Sequence, residues 1–178
     1  MDYLSWLGLT ALSILILSSS HPMSPGKRGA WVLLAATYPM FWSKLIFSLF
    51  SGYLLILDAS LVSSLMGLPR QGNVITLADG VSHLWIAPAC SSMANVSLVV
   101  VCWTLFCQIG QRGFHGQGIW CVVCCCSIVA INVIRISCIG WYPDHYDLIH
   151  GPIGSSIVSW LLVGVTLTIV KYGMLRAR

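Results

Sequence analysis

Long apolar runs separated by short polar segments dominate the pattern of this chain. Each run has close to the ~20 residues that an α-helix needs to cross a hydrocarbon core of ~30 Å. The polar segments between them are rich in glycine, proline, serine or charged residues, and such segments end helices. The pattern predicts spans at Tyr3 to Ser20, about residue 31 to the mid-50s, Cys90 to Ile109, Gln117 to Gly140 and Pro152 to Val170.

The second run is the one with two interpretations. It extends from Ala30 to Leu68, with breaks at Pro39 and at Ser43-Lys44. One interpretation is a single span followed by an amphipathic segment from Asp58 to Leu68, and the other is two shorter spans divided near Lys44. The predicted fold is therefore an all-α polytopic membrane protein, a bundle of five transmembrane helices, or six if the run divides.

The composition of the chain also predicts an integral membrane protein. The 178 residues are 57% hydrophobic and 8% charged, with a mean hydropathy of +0.86, against about 25% charged residues in soluble domains. We expect one integral membrane domain over residues 1–178, surrounded by lipid and without a soluble domain. The net charge of +4 is small and scattered over helix ends, so no nucleic-acid partner is predicted.

The basic residues predict an orientation, because cytoplasmic loops are enriched in lysine and arginine. The loop after the first span and the loop after the third are basic, as is the C-terminal tail. The segment before Cys90 keeps only Arg70, and the loop from Trp141 to His150 has no lysine or arginine, so both are expected outside. The cytoplasmic set is Lys27, Arg28, Arg112, Lys171, Arg176 and Arg178.

A short polar stretch before the third span predicts a β-hairpin. Val74 to Leu77 and Val81 to Ile86 have strand character, and Ala78-Asp79-Gly80 forms a turn between them. Ala87-Pro88-Ala89 ends the sheet because proline cannot donate to a ladder. We expect a small extracytoplasmic hairpin that lies on the membrane surface and delivers Cys90 to the first turn of the next helix.

Three polar residues from distant parts of the sequence are expected at the outer end of the bundle. Cys90 would lie at a helix N-terminus, where the macrodipole favours a thiolate, and His150 closes the outer loop, in reach of a thiol that needs a base. Arg135 is costly in a bilayer and should point inward, towards a carboxylate, a carbonyl or a developing oxyanion. Asn132 shares its helical face, and Ser91 and Ser92 follow the cysteine.

Each of these residues also has a plainer interpretation. A membrane cysteine is commonly a small packing residue, and a histidine beside Gly-Pro is commonly a cap or a headgroup contact. An arginine at this depth snorkels to the headgroups or pairs with an acid such as Asp144 or Asp147. Only the convergence of the three on one side of the membrane favours a cysteine enzyme, with no cofactor and no metal.

A cysteine-rich stretch suggests a rival function in metal handling. Soft thiolates suit Cu(I) or Zn, and a C-x-x-C pair on a helix shares one face. The stretch lies in the inner half of an apolar helix without an accompanying histidine or methionine, which favours packing over metal binding, palmitoylation or redox chemistry. The residues are Cys121, Cys124, Cys125 and Cys126, with Cys102, Cys107 and Cys138 nearby.

Three ordered motifs between about Leu57 and Trp160 resemble the exosortase/archaeosortase family of membrane cysteine enzymes. They are GNVITLADGVSHLWIAPACSS, AINVIRIS and HGPIGS. The resemblance implies Cys90 as the nucleophile, Arg135 with Asn132 on the arginine-bearing helix, and His150 in the position that distinguishes exosortases from archaeosortases. Ser92 replaces a glycine common in the family, and the chain is shorter than the eight-span exosortases.

The resemblance also implies an activity and its partners. It indicates a thiol protease or transpeptidase for protein sorting in a prokaryotic cytoplasmic membrane, with its active site outside. Substrates would be exported proteins that end in a short motif, an apolar helix and a basic tail. The alternative within this fold is a non-catalytic scaffold, and the oligomeric state is open.

Overall fold

The computed structural model describes residues 3–19, 24–110 and 118–176 of the chain. These residues form helices α1 to α7 and a small sheet of strands β1 to β3. The predicted loop containing Arg112, and the residues Ser20, Gln117 and Arg178 of predicted segments, lie outside them. In chain order the elements are α1 (Tyr3–Ser19), α2 (Pro25–Thr37), a π-helical segment (Tyr38–Trp42), α3 (Ser43–Met66), β1 (Arg70–Gln71), β2 (Val74–Thr76), β3 (His83–Trp85), a 3₁₀ turn (Pro88–Cys90), α4 (Met93–Ile109), α5 (Gly118–Trp141), a second 3₁₀ turn (Pro143–His145), α6 (Tyr146–His150) and α7 (Pro152–Arg176).

Four helical stretches among the described residues are long and apolar enough to cross a membrane. Helix α1 is apolar but shorter, with 17 residues. Large apolar side chains cover the outside of the bundle, as Trp160 with 76% of its surface exposed illustrates, and such an exterior suits a lipid solvent better than water. The four stretches are Pro25–Met66, Pro88–Ile109, Gly118–Trp141 and Pro152–Gly173.

The ambiguous second run is helical throughout, and its irregularity lies at Pro39. Proline has no N–H to donate and its ring crowds the preceding turn, so the helix widens into a π-helical segment there, in which the Ser43 amide donates to the Tyr38 carbonyl. The predicted break at Ser43-Lys44 is wrong, because α3 continues through Lys44 to Met66. Asp58 therefore lies inside this helix.

The polar stretch forms three antiparallel strands in the order β1-β2-β3, one more than predicted. Gln71 pairs with Val74 across the first turn, where Gly72 adopts a φ of +61°. Strands β2 and β3 pair Val74 with Trp85 and Thr76 with His83. Both observed strands are shorter than the predicted ones.

The turn between β2 and β3 is organised by Asp79. Its carboxylate accepts hydrogen bonds from the Ser82 hydroxyl, from the Ser82 amide at 2.8 Å and from the Val81 amide at 3.0 Å. These donors, the Ser82 hydroxyl first, lower the pKa of Asp79 below its ordinary value of 3.8. Gly80 follows with a φ of +69°, a conformation that glycine adopts without strain.

The sheet packs against the helical bundle through one of its faces. Ile75 and Ile86 are buried among side chains of α3 and α5. Strand alternation places one apolar face inward, and that face completes the core at this end of the bundle. The cluster consists of Leu55, Ala59, Val62, Ile75, Ile86, Val133 and Ile136.

The opposite end of the bundle brings together the start of α2, the end of α4 and the α5–α7 pair. Arg28 donates to the Gln108 carbonyl at 2.5 Å, which satisfies one of the free carbonyls at the end of α4. Trp120 near the start of α5 lies against Gly173 near the end of α7. The predicted basic segments Lys27-Arg28 and Lys171 thus fall at the end away from the sheet.

Candidate active site

Cys90 lies in the 3₁₀ turn before α4, not in the first turn of the helix as predicted. Pro88 begins this turn, and Ser91 returns to an extended backbone with φ −65° and ψ 141°. Regular helix starts only at Met93. The side chain of Cys90 is half-buried and packs against the α3–sheet–α5 cluster.

Asp58 holds the residue that begins α4. Its carboxylate accepts a hydrogen bond from the Ser92 amide at 3.2 Å and another from the Ser92 hydroxyl at 3.0 Å. Both side chains are buried, with 5% of their surface exposed. The side chain that accepts from the N-terminal residue of α4 is therefore Asp58, and Cys90 lies in the turn that precedes the helix.

Asn132 connects this turn to α5. Its side-chain amide donates to the Cys90 carbonyl at 2.8 Å and to the Ser92 hydroxyl at 3.0 Å. The residue is buried, with 3% of its surface exposed. Ser91 is buried beside it and its hydroxyl accepts from the Met93 amide at 3.4 Å. Three of the predicted site residues thus belong to one hydrogen-bonded group with Asp58.

Arg135 lies one turn further along α5 and points towards α7. Its guanidinium donates to the Ser155 hydroxyl at 3.2 Å, and that hydroxyl donates to the His150 carbonyl at 3.0 Å. The Nε–H of Arg135 is buried without a hydrogen-bond partner among the described residues. The Nε atom is closed off from the surface, so a substrate carbonyl or oxyanion can accept from it only if the side chain moves.

The acidic loop gives Arg135 no counter-ion. Asp144 and Asp147 are exposed, and neither forms an ion pair with Arg135 in the part of the chain that the structure describes. The segment itself is more ordered than the predicted loop, because it folds into a 3₁₀ turn and the short helix α6.

His150 ends α6, and its imidazole stacks on Tyr146 with ring centroids 5.0 Å apart and planes inclined by 21°. Among the described residues its imidazole and the Cys90 thiol are not hydrogen-bonded to each other. Helix α5 therefore links the two segments through separate residues: Asn132 binds the Cys90 turn, and Arg135 reaches the His150 backbone through Ser155.

Two cavities flank these residues. One of about 300 Å³ lies beside the Cys90 turn, between Pro88 and Ser91 on one side and Lys44 on the other. The second, of about 460 Å³, lies between α5, α6 and α7 and is apolar except for Arg135 and a few polar atoms. The first cavity thus borders Ser91 and the second borders Arg135.

Two of the cysteines outside the site are buried in apolar clusters, whereas Cys126 is exposed. Cys124 is buried with Val99 and Ile128, and Cys107 with Trp103 and Val170. The described residues contain no group of three or more His, Cys, Asp or Glu side chains placed to hold a metal ion. All eight cysteines are free thiols.

Sequence reasoning missed two residues of this region, Asp58 and Ser155. Asp58 is the sole acidic residue between Ala30 and Leu68, and an ionisable residue inside an apolar run is a functional candidate by itself. Ser155 closes the HGPIGS motif, and its hydroxyl is placed by the turn that follows α6. The sequence alone therefore marks Asp58 as a candidate, whereas the role of Ser155 could be found only from the fold.

Comparisons with protein-family models, with curated proteins and with solved structures found no match. The chemistry of the site is therefore argued from its own residues.

Proposed function

We propose that this chain is a membrane-embedded cysteine peptidase or transpeptidase of the exosortase type, which cleaves C-terminal sorting signals of exported proteins. The observation that carries the proposal is that α5 binds two segments distant in sequence through residues one turn apart. Asn132 binds the Cys90 turn, while Arg135 reaches Ser155 and the backbone of His150. Arg135 is half-buried with an unpaired N–H, and an arginine inside an apolar helix is costly unless it serves a function.

In the first step the Cys90 thiolate attacks the scissile carbonyl carbon. A C–S bond forms, and the carbonyl π electrons move to the oxygen. Once its side chain has moved, the free Nε–H of Arg135 is a suitable donor to that oxyanion, and donors of this kind typically contribute about 3 kcal/mol in kcat. Collapse of the intermediate breaks the C–N bond and leaves a thioester on Cys90.

His150 serves as the base and acid of the reaction. It accepts the thiol proton and then gives it to the leaving amine. Since the imidazole is stacked on Tyr146 and apart from the thiol, the proposal requires substrate binding to bring the two groups together. An acceptor amine or water then attacks the thioester carbonyl and gives a proton to the His150 imidazole. The C–S bond breaks, which releases the acyl product and the Cys90 thiolate.

The proposed location is a prokaryotic cytoplasmic membrane with the sheet and Cys90 on the outer side. Lys27, Arg28 and Lys171 lie at the other end of the bundle, as the enrichment of cytoplasmic loops in basic residues requires. Proposed partners are exported proteins with a short motif, an apolar helix and a basic tail, together with the surrounding lipids.

The test compares cells that carry the wild-type chain, Cys90→Ala or Cys138→Ala, and maps the C-termini of membrane and surface proteins by mass spectrometry. Cys138 is a matched control because it is also a half-buried free thiol. We expect a set of proteins to keep an apolar C-terminal helix and basic tail in the Cys90→Ala cells alone. Identical maps in all three, with equal expression, would remove the nucleophile assignment.

Two further variants test the other roles. Arg135→Lys should abolish processing, because a compact ammonium cannot replace the planar guanidinium that reaches Ser155 while keeping Nε–H free. His150→Ala should slow thioester formation by about 10²- to 10⁴-fold, the usual contribution of a general acid–base group. Full processing by Arg135→Lys cells would show that Arg135 only supports the fold.

A further inference from the structure

The Asp58 carboxylate is the one acidic group buried in the core of the described residues, and its contacts are directed at the cysteine turn. It accepts both the amide and the hydroxyl of Ser92, 34 positions later in the chain. A buried carboxylate is costly unless several donors satisfy it. Both observed donors to the Asp58 carboxylate belong to Ser92. The hydrogen bonding of Asp58 therefore depends on the position of the Cys90 turn.

This carboxylate also fixes the direction of the hydrogen bonds around Cys90. A carboxylate accepts only, so the Ser92 hydroxyl must donate its proton to Asp58 and can offer only lone pairs elsewhere. The Asn132 amide fills that acceptor at 3.0 Å and donates to the Cys90 carbonyl at 2.8 Å. The sequence of contacts from Asp58 to Cys90 therefore has one consistent arrangement of donors and acceptors.

The hydrophobic packing supports the same arrangement. Leu55, Ala59 and Val62 lie on both sides of Asp58 along α3, and they belong to the cluster on which the Cys90 side chain packs. The backbone of the cysteine is thus held through Ser92 and Asn132, and its side chain rests on the helix that carries Asp58.

We infer that Asp58 is a positioning residue for Cys90, which fixes the nucleophile turn through Ser92 and Asn132. The catalytic importance of this role rests on the proposed function. The positioning of Cys90 itself can be measured without a substrate. In catalysis a displacement of about 1 Å at a reacting group can cost about 100-fold in rate.

The inference is tested by the reactivity of individual thiols in the purified chain. The rate of alkylation by N-ethylmaleimide is measured peptide by peptide for wild type, Asp58→Asn, Ser92→Ala and the control Ser60→Ala. Ser60 lies on the same helix, and its hydroxyl binds only the Ile56 carbonyl of its own helix. Cys138, half-buried on the far side of α5, is the internal reference within each sample.

We expect Cys90 to react at least about fivefold faster in Asp58→Asn and in Ser92→Ala. Loss of one hydrogen bond of usual strength favours local opening by about that factor, and Ser92→Ala removes two. Cys138 should keep its rate in all four samples. Ser92→Ala retains the carboxylate and the amide contact, so it decides the question if Asp58→Asn does not fold.

The inference is overturned if Cys90 in Ser92→Ala reacts within about twofold of its rate in Ser60→Ala, or more slowly than in Ser60→Ala. It is also overturned if Cys138 accelerates as much as Cys90, because that indicates general loosening of the fold. Cellular processing is measured in parallel and should fall in both variants. If Cys90→Ala cells retain all processing, the proposed function fails, and the alkylation rates still decide whether Asp58 positions Cys90.

Discussion

Replacing Asn132 by alanine should destabilise the fold, because Asn132 holds the cysteine turn against α5. The substitution removes the donors to the Cys90 carbonyl and to the Ser92 hydroxyl. A hydrogen bond contributes about 1 kcal/mol net, and the substitution removes two of them. The expected loss is about 2 kcal/mol, or roughly 4–8 °C in the unfolding midpoint of a chain of this size.

Ser137, on the same helix as Asn132, provides a control for which the opposite change in stability is expected. It is fully buried, and its hydroxyl has no partner among the described residues. Ser137→Ala removes an unpaired polar group, so the midpoint should stay unchanged or rise, by up to about 1 kcal/mol in stability. Asn132→Asp should be worse than Asn132→Ala, since it places a second acceptor opposite the Cys90 carbonyl near the Asp58 carboxylate.

The assay is thermal unfolding of the purified proteins in one detergent, followed by tryptophan fluorescence. The ranking from most to least stable should be Ser137→Ala, wild type, Asn132→Ala and Asn132→Asp. If Asn132→Ala unfolds at the wild-type temperature, or if Ser137→Ala loses as much as Asn132→Ala, the hydrogen bonds do not hold the turn and the reasoning is refuted.

Two other predictions concern the junction of α6 with α7 and the tip of the sheet. Gly154→Ala would push a Cβ into the backbone carbonyl oxygens at the end of α6, so it should displace His150 and cost about 2 kcal/mol. The control Gly164→Ala on the same helix meets nothing within 4 Å and should raise the unfolding midpoint, because alanine favours a helix by about 1 kcal/mol over glycine. Equal midpoints for the two variants would contradict the packing. Because hydrogen bonds led by the Ser82 hydroxyl lower the pKa of Asp79, the turn should be fully stabilised above the ordinary value of 3.8 and should loosen as pH falls through the lowered pKa. Hydrogen exchange at the Ser82 amide should report this loosening in wild type and not in Asp79→Asn, and the same pH dependence in both would exclude Asp79 as its cause.

Much of the helical architecture could be predicted because its cause is local. Apolar runs of about 20 residues, bounded by glycine, proline or charge, form helices by themselves. The predicted bounds of α5 and α7 agree with the observed starts near Gly118 and at Pro152. The turn at Asp79-Gly80 was equally readable, since that dipeptide favours a positive φ at glycine.

Predictions failed where two causes compete over a short stretch. Proline at position 39 and lysine at position 44 both read as breaks in one apolar run, and only the first changes the helix. A lysine stem is compatible with a continuing helix when its ammonium group reaches polar surroundings. Cys90 is predicted in the first helical turn because it directly follows Ala87-Pro88-Ala89, which ends the sheet, yet Ser91 returns to extended backbone and the helix begins only at Met93.

Sequence alone determined which groups are available for chemistry and which segments carry them. A thiol, a guanidinium and an imidazole follow from Cys90, Arg135 and His150, and their helices follow from the apolar pattern. Which of them touch was decided by the tertiary structure, because contacts between α3, the cysteine turn and α5 join residues dozens of positions apart. Buried polar groups must find partners wherever the packing places them, and that requirement, invisible in any local pattern, is what brings Asp58 to the turn of Cys90.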